Sequence, residues 1–169
     1  MLLESITSRR STRKFKPTKV TTEQIRILLE AAMLSPSACN TRPWRFIAIR
    51  NREILYKLAD AHQYAKMLTT AQLAIVIVAI PNTQEGLAEG FYPQDCGAAT
   101  ENILIQAEAL GLGSCWCGVY PKTKTMDAVS QILNIQNNEI PFCIIAIGEK
   151  DEFPAARGKY EEEKVTWVD

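Results

Sequence analysis

The chain has 169 residues, 47% of them hydrophobic, which is enough to bury one substantial core and too little for two independent domains. Its 19 Lys and Arg balance 19 Asp and Glu, so it has no basic excess to neutralise nucleic-acid phosphates, and nucleic acid is not expected as a partner. The longest apolar run, Leu73 to Ile80, is too short to span a bilayer, and MLLESITSRRS lacks an apolar signal core, so a cytoplasmic protein is expected.

The first 19 residues set Arg9, Arg10, Arg13, Lys14, Lys16 and Lys19 against one acid, Glu4, at the end of a short helix. Such a run is either a local anion site or a solvated basic face. Thr21 and Thr22 ahead of Glu23 start a helix whose Ile25, Leu28, Leu29, Ala32 and Met33 recur at helical spacing until Ser35-Pro36. The turn Pro36 to Pro43, small and hydrogen-bonding residues between two prolines, is expected to expose backbone donors. Trp44 to Ile49 reads as a strand, Arg52 to Ala61 and Tyr64 to Thr70 as short helices, with His62 on a helix surface.

Leu73 to Ala79 is a continuous, mostly β-branched run and belongs in the middle of a sheet covered on both faces. After the weakly patterned loop Gly86 to Pro93, Asp95 is expected to cap a long helix carrying Ala98, Ala99, Ile103, Ala107 and Leu110, ended by Gly111 and Gly113. Ser114 to Tyr120 reads as a strand, Lys124 to Leu133 as a helix and Phe142 to Ile147 as a last core strand. Beyond Gly148 the chain is charged but ends in the strand-like Val165-Thr-Trp-Val168, which is expected to dock on its own sheet edge or on that of a second subunit.

The sequence has no GxSxG elbow, P-loop or HExxH motif, and Trp116 stands where a dinucleotide fingerprint after Gly111-x-Gly113 needs its third glycine. One histidine makes a His-based hydrolase improbable. The five cysteines show no repeated CxxC spacing; Cys115 and Cys117 read as buried inert thiols, and no metal site is expected. What remains is equipment for binding anions and offering backbone donors, which suits an enzyme whose cofactor makes and breaks the bonds.

Four spaced segments, RRSTRKF, SPSACNTRPWRF, LGLGSCWCGVYP and ARGKY with the acidic stretch behind it, together resemble the nitroreductase family of FMN-dependent oxidoreductases along nearly the whole chain. The resemblance implies a single α+β domain over residues 1–169, with a central, mainly antiparallel sheet flanked by helices. It also implies a homodimer in which the 149–169 extension docks on the partner and adds a C-terminal strand, at Val165 to Val168, to the partner's sheet.

By the same resemblance, Arg9 and Ser11 hold the FMN phosphate, Arg10 and Arg13 lie around the ribityl chain and pyrimidine edge, and Arg157 and Lys159 close over the phosphate. Ser37, Ala38 and Asn40 touch the flavin from the other subunit, and Cys117, Gly118 and Val119 offer backbone N–H groups to its N5 and O4. The implied activity is ping-pong electron transfer from NADH or NADPH to a nitroaromatic, quinone or similar electron-poor acceptor, with no catalytic side chain. Dehalogenation, flavin breakdown, and flavin binding or sensing without turnover stay open beside it. Arg42 replaces the Gln common before the Pro-Trp pair, which leaves the flavin contact there open, and the long helical insertion of larger relatives is missing, so their substrate preferences do not carry over; the sequence does not say whether the 82–93 loop closes over substrate.

Overall fold

The computed structural model describes residues 1–84, 86–155, 158 and 160–168. Its helices and strands, in chain order, are α1 (Glu4–Ser8), α2 (Thr22–Met33), β1 (Trp44–Ile49), α3 (Arg52–Ala61), β2 (Leu73–Ala79), α4 (Tyr92–Ala109), β3 (Leu112–Gly118), α5 (Thr123–Leu133) and β4 (Ile140–Glu149). The four strands form one antiparallel sheet in the order β1-β2-β4-β3, so the expected α+β architecture is present.

Strand alternation divides the core into two layers. Ala74, Val76 and Val78 of β2, with Ile144 and Ala146 of β4, face Leu55 and Leu58 of α3 and Val129 of α5. Leu73, Ile75 and Ile77, with Ile145 and Ile147, face Leu28 and Ala32 of α2 and Ala99 and Ile103 of α4. Every residue of β2 is fully buried, and each buried Leu, Ile or Val removes enough apolar surface from water to contribute about 1.5–3 kcal/mol. That is why an uninterrupted apolar strand takes the middle of the sheet. At the start of α2, Gln24 N–H donates to Thr21 Oγ1 (3.1 Å) and Thr21 N–H to Gln24 Oε1 (2.9 Å), completing a capping box.

Four expectations need correction. Helix α4 begins at Tyr92, with Pro93 in its first turn, where a missing N–H costs nothing; Asp95 lies inside the helix and directs its carboxylate elsewhere. Strand β3 starts two residues early, because Gly111 turns the chain at φ 73° straight after α4 and leaves no room for a longer loop. The short helix expected over Tyr64 to Thr70 is only a single 3-10 turn, Lys66–Thr69. His62 lies beyond α3 and is 5% exposed, not a surface helix residue.

At the far end, Lys150 Nζ meets both Glu108 carboxylate oxygens at 2.7 Å, and Asp151 N–H donates to Lys14 O (3.0 Å). These contacts tie the chain to its own body as far as residue 152. Beyond it, Phe153, Tyr160, Trp167 and Val168 are all exposed. Val165 has extended backbone, and residues 165–168 join no strand of this chain. Arg157 and Lys159 lie outside the described residues.

Candidate functional site

The basic N-terminal segment is held across the end of the sheet by two glycines. Gly113 of β3 and Gly148 of β4 are register partners. A Cβ on Gly113 would fall 2.7–2.8 Å from Thr12, and one on Gly148 3.0–3.2 Å from Phe15. Their missing side chains let residues 11–16 lie flat on the strands, where Thr12 N–H donates to Ser114 O (2.9 Å) and Lys16 N–H to Glu149 O (3.0 Å). Arg9, Ser11 and Arg13 therefore hang from a fixed backbone.

Two clefts meet at Arg13. One, about 240 Å³, is lined by Arg9, Arg10, Ser11, Arg13, Pro154 and Ala155. The other, about 570 Å³, continues from Arg13 and Lys14 past Gln63, Tyr64, Lys66 and Met67 to Cys115 and Trp116. Cations crowd the narrow end, while the broad end mixes aromatic, aliphatic and sulfur-bearing side chains. A long ligand with an anionic head and a flat body matches that division.

Within the narrow cleft the arginines differ. Arg9 Nε lies 3.4 Å from Glu101 Oε1 and its side chain stays partly exposed. Arg10 turns back, donating from Nη1 to Thr7 O (2.8 Å) and Arg9 O (2.7 Å), so it braces the end of α1; its buried Nε has no partner among the described residues. Arg13 donates from Nη1 to Ser11 O (3.2 Å), and its backbone N–H is held by Glu152.

The broad cleft is joined to β3 through His62. Tyr64 N–H donates to His62 Nδ1 (3.1 Å), so the ring carries a proton on Nε2 and donates it to Gly118 O at 2.8 Å. Gly118 thus presents its backbone away from the sheet. Val119 does not: its N–H donates to Phe142 O (3.1 Å) and its side chain is fully buried, so it offers no free donor to a ligand.

Cys115 and Cys117 share the core-facing side of β3, each 3% exposed. The neighbouring Cys117 brings Cys115 down to about 7, against the opposing effect of burial, and the Arg13 guanidinium and Ser11 assist. Cys115 and burial together push Cys117 well above the usual thiol range, and the Cys117 thiol donates to Tyr64 O and Met67 Sδ, both at 3.7 Å. Cys115 lines the broad cleft and is buried, as expected.

The family model of the nitroreductase family matches residues 6–63 and 61–149. The chain belongs to the nitroreductase family. A Methanothermobacter thermautotrophicus protein, provisionally named NADH dehydrogenase/NAD(P)H nitroreductase, is 38% identical over 97% of this chain and 85% of its own length. An Archaeoglobus fulgidus protein of the same provisional name is 42% identical over 90% of each chain. Among solved structures, an FMN-dependent nitroreductase from Clostridium difficile superposes with a TM-score of 0.90 at 30% identity, covering 98% of both chains.

In this nitroreductase-family chain, Arg9, Arg10, Ser11 and Arg13 come together around the narrow cleft, whereas Cys117 and Gly118, at the end of β3, line neither cleft, although Cys117 Sγ donates to O of the cleft residue Tyr64 (3.7 Å). Ser37, Ala38 and Asn40 line neither cleft; they occupy the turn between α2 and β1, at the opposite end of α4 from Gly111. Gln63, Tyr64, Lys66 and Met67 are cleft residues that sequence reasoning missed. Tyr64, Lys66 and Met67 sit in a stretch read only as a helix, with Gln63 just before it, and no spacing distinguishes a cleft wall from a solvated face.

Proposed function

We propose that the protein binds FMN and passes electrons from NADH or NADPH to a nitroaromatic, quinone or similar electron-poor acceptor in a ping-pong cycle. The observation that carries this reading is the pair of clefts joined at Arg13. The narrow, cationic one suits a phosphate, and the broad, aromatic one is of a size that suits a tricyclic ring. Arg10, which lines the narrow cleft, keeps a buried Nε without a partner among the described residues, which fits a ligand that brings hydrogen-bonding groups there.

When bound, FMN would supply the two-electron chemistry. Arg9 and Ser11 would hold its phosphate through charge-assisted bonds. Arg13, shared by both clefts, would stabilise the negative charge that reduction places on the ring's pyrimidine edge. Gly118, with no side chain, would let a backbone donor approach the ring closely, and Gln63, Tyr64 and Lys66 would form the opposing wall. The two bonds of His62 keep that wall and β3 in fixed relation.

The same reading includes a homodimer. Ser37, Ala38 and Asn40 would meet the flavin of the partner, and the exposed Val165–Val168 segment would extend the partner's sheet at the free edge of β1. The five free cysteines suit a reducing cytoplasm.

The test is direct. Purified protein, or stripped protein given FMN, should show visible flavin absorbance and oxidise NADH or NADPH only when an acceptor such as a quinone or nitroarene is supplied. A colourless protein that cannot be loaded with FMN refutes the proposal. Loaded protein that ignores nicotinamides points instead to a flavin-binding role without turnover.

A further inference from the structure

Asp95 is a carboxylate that the cleft does not use. It lies in the first turn of α4, is 7% exposed, and has no Lys or Arg partner among the described residues. Its Oδ1 accepts from Ala38 N–H (3.1 Å) and its Oδ2 from Gln84 Nε2 (2.6 Å). Gln84, 4% exposed, also donates from Nε2 to Thr41 Oγ1 (3.2 Å), and Thr41 Oγ1 donates to Ala38 O (2.9 Å). The four residues close a hydrogen-bonded circuit around the turn between α2 and β1.

That turn needs holding. Cys39, Asn40 and Arg42 have φ of 50°, 54° and 51°, three non-glycine residues in the left-handed region within four positions. Left alone, L-residues leave that region, because Cβ crowds the carbonyl oxygen. A buried charged acceptor supplies the strongest available restraint, since its bonds are about twice as strong as neutral ones, and the helix N-terminus keeps the unpaired carboxylate stable.

We propose that Asp95 is a positioning residue for flavin binding: through Ala38, and through Gln84 to Thr41, it locks the Ser37–Arg42 turn in the one conformation that meets the flavin of the partner chain. The inference rests on the reading above, in which Ser37, Ala38 and Asn40 contact that flavin. If loss of the lock leaves only 1–10% of turns competent, apparent FMN affinity falls by about 10- to 100-fold.

The experiment compares wild type, Asp95→Ala, Asp95→Asn, Gln84→Leu and Thr100→Ala. Thr100 is buried in the same helix with its hydroxyl on Cys96 O (2.7 Å), away from the turn, and serves as the control for simple destabilisation. FMN affinity is read by fluorescence quenching, and amide hydrogen exchange of the 37–42 peptide is read on FMN-free protein. Asp95→Ala should weaken FMN by about 10- to 100-fold and speed exchange of the peptide. Asp95→Asn should recover part of both, because its amide oxygen can accept from Ala38 and, once the Gln84 amide turns over, its NH2 can donate to Gln84 Oε1 at the cost of the Gln84–Thr41 bond.

Gln84→Leu should fall between Asp95→Ala and wild type, and Thr100→Ala should lower the melting temperature while leaving FMN affinity and peptide exchange as in wild type. Equal FMN affinity in wild type, Asp95→Ala and Gln84→Leu overturns the inference, as does an equal loss in Thr100→Ala. Wild type that binds no FMN brings down the flavin reading itself, a result distinct from both.

Discussion

Replacing Gly113 with Ala places a methyl carbon 2.7 Å from Thr12 Cγ2, 2.8 Å from its Cβ and 2.8 Å from its Oγ1. Rotating Thr12 about χ1 moves two of those atoms but leaves Cβ in place, so relief requires the backbone of residues 11–13 to lift off β3. Thr12 N–H is bonded to Ser114 O at 2.9 Å, and that bond is strained by the same movement. Overpacking of this kind costs about 1–3 kcal/mol, which for a domain of this size lowers Tm by about 2–12 °C. Because the displaced segment carries Ser11 and Arg13, FMN affinity should fall together with stability. Thermal unfolding and FMN titration of Gly113→Ala, Thr12→Gly and the double mutant provide the assay. Thr12→Gly removes all three clashing atoms, so the double mutant should be more stable than the sum of the single effects by at least about 1 kcal/mol. A Gly113→Ala protein with unchanged Tm and FMN affinity, or strictly additive effects, refutes the claim that this close approach positions the arginines.

Arg9→Ala and Arg13→Gln should each weaken FMN by about 10- to 100-fold, the value of one or two charge-assisted bonds, whereas Arg10→Lys should act mainly on stability because Arg10 braces α1; isothermal titration and thermal melts separate the two effects. In a Cys39→Ser background, alkylation of Cys115 in FMN-free protein should follow a titration with a midpoint near 7, set by the neighbouring Cys117 and by Arg13. Cys117→Ala should move that midpoint up towards about 8.5, which mass spectrometry of the alkylated peptide reads directly.

Arg45 meets Glu139 through two bonds, at 2.7 and 2.5 Å, and this pairing holds the Glu139 carboxyl below its ordinary value. A depressed folded value means that the stabilisation, about 1 kcal/mol for such a partly exposed pair, is present above about pH 4.3 and disappears as pH falls through the folded value. Glu139→Gln should therefore cost stability at pH 7 and lose that part of the acid dependence, as measured by urea unfolding from pH 7 to 3.

The parts of the fold that could be read in advance were those set by local pattern. The unbroken apolar run of β2 could only be satisfied between two helical layers, and Thr21 and Thr22 ahead of Glu23 announced the start of α2 within a few residues. Arg9, Ser11 and Arg13 were visible because charge and hydroxyl clustered in one short segment. The rest depends on tertiary neighbours. His62 looks like any polar residue after a helix until Gly118 O arrives 56 positions later to accept its proton. Asp95 fits the pattern of a helix cap, but Pro93 starts the helix earlier and the turn at Ala38 claims the carboxylate. Val119 was read as a donor, whereas its strand phase turns its N–H into the sheet. Gly113 carried a signal that was misread: it was taken for a helix stop, yet its purpose is to leave space for Thr12.

The outer side of β1 has a consequence during synthesis. No strand of the described chain pairs with it, so its N–H and C=O groups form a ready template for another polypeptide. β1 leaves the ribosome well before residues 165–168, so each nascent copy presents an adhesive border before it has made the segment proposed to cover one. Two neighbouring copies could zip together there out of register. Arg45, second in the strand and anchored to Glu139, is the one charge within β1 that stands guard against such zipping, and its loss should show first as inclusion bodies and only later as a lowered melting temperature.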